Sequence, residues 1–128
     1  MLNVVCIQGN LTRDPEFKQL NEKTCVCEFA IASNKHIGKN EDGSKREITS
    51  FVDIKTWGRL AEVCAANLEK GRQVLIQGEL QQQRWTQEDG KQRSRIIVNA
   101  NEVTFIGGRR HGEEKRQDPP RTGEEPEV

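Results

Sequence analysis

The chain has 128 residues, of which 33% are hydrophobic and 31% charged, and it contains no tyrosine. This length suits one domain with a tail and leaves no room for two domains. No apolar run approaches the ~20 residues needed to cross a bilayer, so the composition excludes a transmembrane helix. Met1–Asn10 has no basic start followed by an apolar core. We therefore expect no secretory signal and a cytoplasmic location.

The charged residues balance, with 20 basic against 20 acidic side chains, so the net charge alone does not point to a nucleic-acid partner. Position along the chain is more informative than the sum. Ser33–Arg59 holds six basic residues against four acidic ones, and Arg84–Arg95 holds four against two. Each segment therefore carries a net charge of +2, and positive charge is weakly segregated.

The four cysteines do not form a recognisable metal motif. Zinc sites pair cysteines two to four residues apart with two further ligands at similar spacing. Here Cys25 and Cys27 are close, but Cys6, Cys64 and the two histidines are scattered. We expect the cysteines to be small buried hydrophobic residues, without disulfides in a reducing compartment. The sequence predicts no metal and no cofactor.

The first part of the chain is rich in strand-forming residues. A strand is predicted over Leu2–Gln8, ending at Gly9-Asn10. Thr24–Ser33 and Ile48–Trp57 alternate in the pattern of half-buried strands. Between them lies the polar segment Lys35–Arg46, whose Asp42-Gly43 pair is typical of a tight hairpin turn.

The pattern changes to helical spacing over Leu60–Lys70, where Gly71 supplies a C-terminal stop. A strand interrupted at Gly78 is predicted over Gln73–Leu80. A second hairpin then follows, with its turn at Asp89-Gly90. Its arms and the last strand are predicted at Arg84–Thr86, at Arg93–Ile97 and onward to about Phe105.

Three strands, one helix and two strands therefore follow one another. This order predicts an all-β fold, a five-stranded barrel of the oligonucleotide- and oligosaccharide-binding (OB) class with one helix between strands 3 and 4. The pattern alone also permits an α+β domain or an SH3-like barrel. We expect the barrel to occupy residues 1–107. Residues 108–128 are nearly devoid of apolar side chains and are predicted to be a disordered tail.

No catalytic machinery is evident. His36 and His111 lie in polar segments without a nucleophile motif, and there is no phosphate-cradling glycine loop. The carboxylates are scattered among basic residues. The sequence therefore predicts a protein that is not an enzyme.

The aromatic residues suggest a binding surface instead. Val52 and Ile54 share one parity of the third predicted strand and suit a core. Phe51, Lys55 and Trp57 share the other parity and are expected to face outward. Outward aromatics beside lysine form a stacking platform, because every base has a π-face and cations neutralise phosphates.

Trp85 lies within a run of polar residues, which is hard to explain as core. The alternative is that Trp57 and Trp85 fill the core or a subunit contact. Phe29 and Phe105 are better core candidates, since each shares a face with apolar neighbours.

Five motifs follow one another along Leu2–Gly107. They are Gly9-Asn10-Leu11-Thr12-Arg13-Asp14-Pro15-Glu16, Trp57-Gly58-Arg59-Leu60-Ala61-Glu62-Val63, Leu68-Glu69-Lys70-Gly71, Gly78-Glu79-Leu80, and Arg84-Trp85-Thr86 with Asp89-Gly90. In their order and spacing these motifs resemble those of bacterial-type single-stranded DNA-binding proteins.

The resemblance implies an OB-fold barrel that forms a homotetramer, with a dimer as the other possibility, and binds single-stranded DNA without sequence preference. It implies base stacking on Phe51, Trp57 and Trp85, whereas a fourth position that is often aromatic holds Ile37. The predicted phosphate contacts are Lys35, Lys55, Arg59, Lys70, Arg84 and Arg93.

The end of the chain differs from the family pattern. Relatives often end in several acids, a proline and a phenylalanine that recruits replication and repair proteins. This chain ends with Glu124, Glu125, Pro126, Glu127 and Val128. Partner docking by this tail and a merely solubilising role are both open.

Two other functions fit the residues. The first is an accessory OB-fold subunit of a primosome or recombination complex that acts mainly through protein contacts. The second is an interaction module whose aromatics are buried between subunits.

Overall fold

A computed structural model describes residues 1–107 as six strands and one helix. In chain order the elements are β1 (Val5–Leu11), β2 (Glu16–Gln19), β3 (Cys25–Lys39), β4 (Lys45–Trp57), α1 (Gly58–Asn67), β5 (Gln73–Thr86) and β6 (Gln92–Ile106). The predicted tail, residues 108–128, lies outside the described residues.

Five of the strands form a closed ring in the order β1-β5-β6-β4-β3, because β1 also pairs with β3. Neighbours in the ring are antiparallel except β4 and β6, which pair in parallel and close the barrel. In chain order the helix lies between β4 and β5, which are the third and fourth of these five strands, so the predicted barrel is confirmed. The additional strand β2 pairs only with the first part of β3 and was not predicted. Its four residues are all exposed, so they show no burial pattern to detect.

The barrel core is built from the inward parity of each strand. Fully buried side chains include Phe29, Ile31, Ile54, Val74 and Ile76. Burying an aliphatic or aromatic side chain of this size contributes about 1.5–3 kcal/mol of transfer free energy. Phe105 is partly buried against this core, so both predicted core phenylalanines are confirmed.

The helix packs one face into the same core, through Ala61, Cys64 and the following Leu68. It begins earlier than the predicted Leu60–Lys70, because Gly58, at φ +63°, already turns the chain out of β4. It also ends earlier, at Asn67, because Leu68 is already extended, so the predicted stop at Gly71 is wrong. No helix of the described residues is long and apolar enough to span a bilayer.

Two glycines predicted to end or interrupt strands lie within continuous strands. A Cβ at Gly9 would lie 2.5 Å from the carbonyl oxygen of Ala32, and one at Gly78 would lie 2.1 Å from that of Asn99. Both are closer than real Cβ atoms approach. Glycine is therefore needed at these positions for close approach between strands. The predicted break in β1 is wrong, whereas the interruption predicted at Gly78 corresponds to a register shift in the β5–β6 pairing between Gln77 and Gly78.

The two hairpins are longer than predicted, because β3 and β4 extend almost to the turn at Asp42-Gly43. The Asp42 carboxylate accepts hydrogen bonds from the backbone N–H and the hydroxyl of Ser44, which lowers the pKa of Asp42. The turn at Asp89-Gly90 has the same arrangement, with the Asp89 carboxylate accepting from the N–H of Lys91. Both predicted turns are confirmed.

Cys25, Cys27 and Cys64 are buried, as predicted, and the described cysteines are free thiols. Burial raises the pKa of Cys27 to about 11 and that of Cys64 to about 12. The prediction is wrong for Cys6, which is exposed because it has the outward parity of β1 between Val5 and Ile7. Among residues 1–107 there is no cluster of three or more potential metal ligands.

Candidate nucleic-acid interface

Strand β4 has an apolar inner face and an aromatic outer face. Ile54 and Thr56 point inward and are 1% and 0% exposed. Phe51 and Trp57 have the opposite parity and are 72% and 43% exposed. Six residues of extended chain place these two rings about 20 Å apart along the strand.

The same outer face continues onto β6 and β5. The parallel pairing of Asp53 with Ile97 gives Arg93, Arg95, Ile97 and Asn99 the parity of Asp53. Antiparallel pairing then sets Gln81 opposite Ile97, and Trp85 opposite Arg93. Phe51, Trp57 and Trp85 therefore lie on one face of a continuous sheet.

Trp85, at 45% exposed, lies near the turn end of the β5–β6 hairpin. The outward orientation predicted for Phe51, Trp57 and Trp85 is confirmed. The alternative that the two tryptophans fill the barrel core is wrong.

The Trp57 indole is held in place by polar side chains. Its Nε1–H donates to Oδ1 of Asn99 at 3.1 Å, and Nδ2 of Asn99 donates in turn to Oε1 of Gln81. The Lys55 ammonium lies 5.8 Å from the centroid of the ring. These contacts join β4, β6 and β5, and they orient an aromatic ring that remains accessible to a ligand.

Of the predicted phosphate contacts, two share the aromatic face. Lys55 lies beside Trp57, and Arg93 lies opposite Trp85. Both could contact a backbone whose bases stack on the neighbouring indoles.

Two further cations flank the helix. Arg59 is exposed in its first turn, two residues after Trp57. Lys70 is exposed in the loop that follows the helix, where its backbone N–H donates to the Asp14 carboxylate at 2.8 Å. Arg59 is thus close to Trp57, whereas Lys70 lies beyond the other end of the ten-residue helix.

The last two predicted cations lie on the opposite face of their hairpins. Lys35 pairs with Ile48, whose parity is opposite to that of Phe51. Arg84 precedes Trp85 and therefore points the other way, donating to Oε1 of Gln82 at 3.1 Å. The structure does not bring these two residues together with the aromatics.

Ile37, at the often aromatic position, is 39% exposed beside an irregularity in the β3–β4 pairing. Its aliphatic surface is accessible but cannot supply a π contribution. The tail residues Glu124, Glu125, Pro126, Glu127 and Val128 lie outside the described residues.

Sequence reasoning missed three residues of this face, namely Arg95, Asn99 and Gln81. The alternation of β6 carried a signal for two of them, because Arg95 and Asn99 have the parity of the predicted Arg93. Their contacts depend on the parallel pairing of β6 with β4, which no local pattern reveals.

The chain is similar in sequence to a known protein family. The sequence model of the single-strand binding protein family matches residues 2–106. The single-stranded DNA-binding protein of Aquifex aeolicus is 39% identical over 124 residues, which cover 94% of this chain and 83% of that protein. That of Helicobacter hepaticus is 38% identical over 114 residues, covering 89% of this chain and 66% of that protein, so the chain spans about two thirds of its length.

Solved structures show the same fold. A Plasmodium falciparum SSB in complex with ssDNA superposes with a TM-score of 0.75 at 20% identity, covering 84% of this chain and 97% of that one. A deletion mutant of the single-stranded DNA binding protein from Thermus aquaticus gives a TM-score of 0.70 at 27% identity, over 84% of this chain and 52% of that one. Because the family model spans nearly all the described residues, the chain belongs to the single-strand binding protein family.

Proposed function

We propose that this chain binds single-stranded DNA without sequence preference and protects it during replication, recombination and repair, without acting as an enzyme. The observation that carries the proposal is the exposure of Phe51, Trp57 and Trp85 on one sheet face. Soluble proteins gain little from exposing large aromatic rings together unless a ligand covers them. Membership of the single-strand binding protein family supports the same ligand.

The proposed mechanism combines stacking with charge neutralisation. Bases stack on the three aromatic rings, each contact being worth about 1–3 kcal/mol in proteins of this kind. Lys55, Arg93 and the flanking Arg59 and Lys70 neutralise phosphates and release condensed counterions. Affinity should therefore fall with salt, with a slope of roughly −0.7 per phosphate neutralised on a single strand.

The resemblance also leads us to propose assembly as a homotetramer and a cytoplasmic, nucleoid-associated location. Sedimentation or native mass measurement tests the assembly directly. A tetramer would have about four times the 14.6 kDa mass of the chain. A species of half that mass would show a dimer instead. Docking of replication and repair proteins by Glu124–Val128 is a further proposal, tested by deleting those five residues and measuring capture of such a partner.

The intrinsic fluorescence of the protein tests stacking, because the chain has two tryptophans and no tyrosine. Titration with oligothymidylate should quench the emission and saturate at a fixed number of nucleotides per subunit, whereas duplex DNA should quench little. Replacing both Trp57 and Trp85 by alanine should weaken binding by about 30-fold to about 10⁴-fold, as expected for two lost stacking contacts.

A matched control is Phe17→Ala on β2, because Phe17 is 41% exposed but lies away from the aromatic face. This change should leave affinity within about twofold, since it removes no stacking contact. Anisotropy of a labelled oligonucleotide measures all variants equally, including those without tryptophan. A folded double variant that binds with undiminished affinity would refute the stacking mechanism.

A further inference from the structure

One charged side chain of the aromatic face, Arg95, contacts residues of three neighbouring strands. Nη2 of Arg95 lies 3.9 Å from Oε1 of Glu28, and Nη1 lies 3.9 Å from Oδ2 of Asp53. Its Nε–H donates to Oε1 of Gln83 at 3.1 Å. A single guanidinium on β6 therefore has partners on β3, β4 and β5.

The position of these carboxylates conflicts with the proposed path of the DNA. Asp53 lies between Phe51 and Trp57 on the outer face of β4, two residues from the first and four from the second. That spacing corresponds to about 7 Å and 13 Å along the strand. A polyanion stacked on both rings must pass close to this carboxylate, which repels phosphate.

The ion pairs that hold Arg95 are easily exchanged. The Arg95 and Asp53 side chains are 41% and 45% exposed, and exposed pairs of this length are weak in water. A phosphate can accept two parallel N–H bonds from a guanidinium, a geometry that two separate carboxylates at 3.9 Å do not provide. Glu28 also has a second cation within reach, since Nζ of Lys18 lies 4.0 Å from its Oε2.

We propose that Arg95 binds a DNA phosphate when a single strand is present and is otherwise paired with Asp53 and Glu28. These two carboxylates compete with phosphate for the guanidinium and so limit the affinity for single-stranded DNA. On binding, a phosphate oxygen replaces the carboxylates at the guanidinium, and no covalent bond changes. The proposal rests on the proposed function, because it assumes that a single strand crosses this face.

The test is a double-mutant cycle of Asp53→Asn and Arg95→Gln, measured by anisotropy with labelled oligothymidylate at several NaCl concentrations. Asp53→Asn should raise affinity about 3- to 10-fold, because it removes both a repulsive charge and a competitor for Arg95. Arg95→Gln should lower affinity about 10-fold. Within the Asp53→Asn background, Arg95→Gln should also reduce the salt slope by about 0.7, the value for one lost phosphate contact.

The double-mutant cycle distinguishes competition by Asp53 for Arg95 from simple repulsion of DNA by Asp53. If Arg95 leaves Asp53 to bind phosphate, Asp53→Asn gains more when Arg95 is present than in the Arg95→Gln background. An equal or larger gain in the Arg95→Gln background would mean that Asp53 only repels DNA, and it would overturn the proposal. So would an Arg95→Gln protein with unchanged affinity.

Two control variants on the β2–β3 turn each remove one charge, negative or positive, away from the aromatic face. Glu22→Gln and Lys23→Gln should each shift affinity by less than about twofold. Circular dichroism and native mass check that every variant folds and assembles. If Arg95→Gln does not fold, Arg95→Lys keeps the charge but loses the bidentate geometry, and it should bind less tightly than the parent while remaining salt-dependent. Parental affinity of Arg95→Lys would then overturn the proposal.

The result is distinguishable from failure of the proposed function. If the parent protein does not bind oligothymidylate, the proposed function itself fails. If the parent binds and loses affinity without its tryptophans, but the cycle shows no coupling, only the role of Arg95 is refuted.

Discussion

The inner and outer faces of β4 differ in burial, although their residues alternate along one strand. The inner face places Ile54 and Thr56 in a closed core, where the Thr56 hydroxyl donates to the Cys27 carbonyl at 3.0 Å. The outer face leaves Phe51 and Trp57 accessible. The difference indicates that the inner residues determine whether the barrel forms, whereas the outer residues determine what it binds.

The strongest test of this division replaces one large side chain on each face. Ile54→Ala should lower the free energy of unfolding by about 2–5 kcal/mol, because it leaves a cavity in a packed core. Phe51→Ala should change unfolding by less than about 0.5 kcal/mol, since its ring is 72% exposed. Urea denaturation measures both, and oligothymidylate affinity should show the reverse order. Equal losses of stability would contradict the division.

A smaller effect tests how the outer face is organised. Asn99→Leu removes the acceptor for Nε1–H of Trp57 and should weaken binding about fivefold, corresponding to about 1 kcal/mol for one hydrogen bond. The indole N–H resonance of Trp57 in an NMR spectrum should shift, reporting the lost bond. Asn101→Leu makes the same change at an exposed position of β6 and serves as the control. Unchanged affinity of Asn99→Leu would mean that Trp57 needs no such support.

The last test concerns the inner face and pH. The thiols of Cys27 and Cys64 have pKa values raised from 9.0 to about 11 and about 12 by burial. Between pH 9 and those values the folded protein keeps protons that the unfolded chain has lost, so the free energy of unfolding should fall as pH rises. Below about pH 8 both thiols are protonated in both states and add no slope.

Urea denaturation at pH 7.5 and pH 10 measures this fall. Cys64→Ala should reduce the difference between the two pH values, although the substitution also lowers stability at both. Cys6→Ala, which removes the exposed thiol, should leave the difference unchanged. A Cys64→Ala protein with the same alkaline loss as the parent would show that other groups cause it.

Much of this architecture could be predicted from local patterns, because alternation and turn residues report which face a residue occupies. Phe51, Trp57 and the turn at Asp42-Gly43 were all readable in this way. Gly78 was not, since its close approach to Asn99 depends on the exact register in which β5 and β6 pair. Likewise, the partners of Arg95 could not be predicted, because they are determined by which strands close the ring.

Two contacts of the ring consist of few residue pairs. Strands β1 and β3 share two pairs, and β4 and β6 share three, namely Asp53–Ile97, Ile54–Val98 and Lys55–Asn99. Pairing of strands so far apart in the chain is the kind of contact that forms slowly during folding. The contacts of Trp57 with Asn99 and of Asp53 with Arg95 both cross the β4–β6 pairing. If the β3–β4 and β5–β6 hairpins form without this pairing, the aromatic rings are present but are not held in position relative to one another. A single strand held by this face contacts residues on both sides of the β4–β6 pairing, so it would favour the closed ring by mass action and stabilise the folded protein.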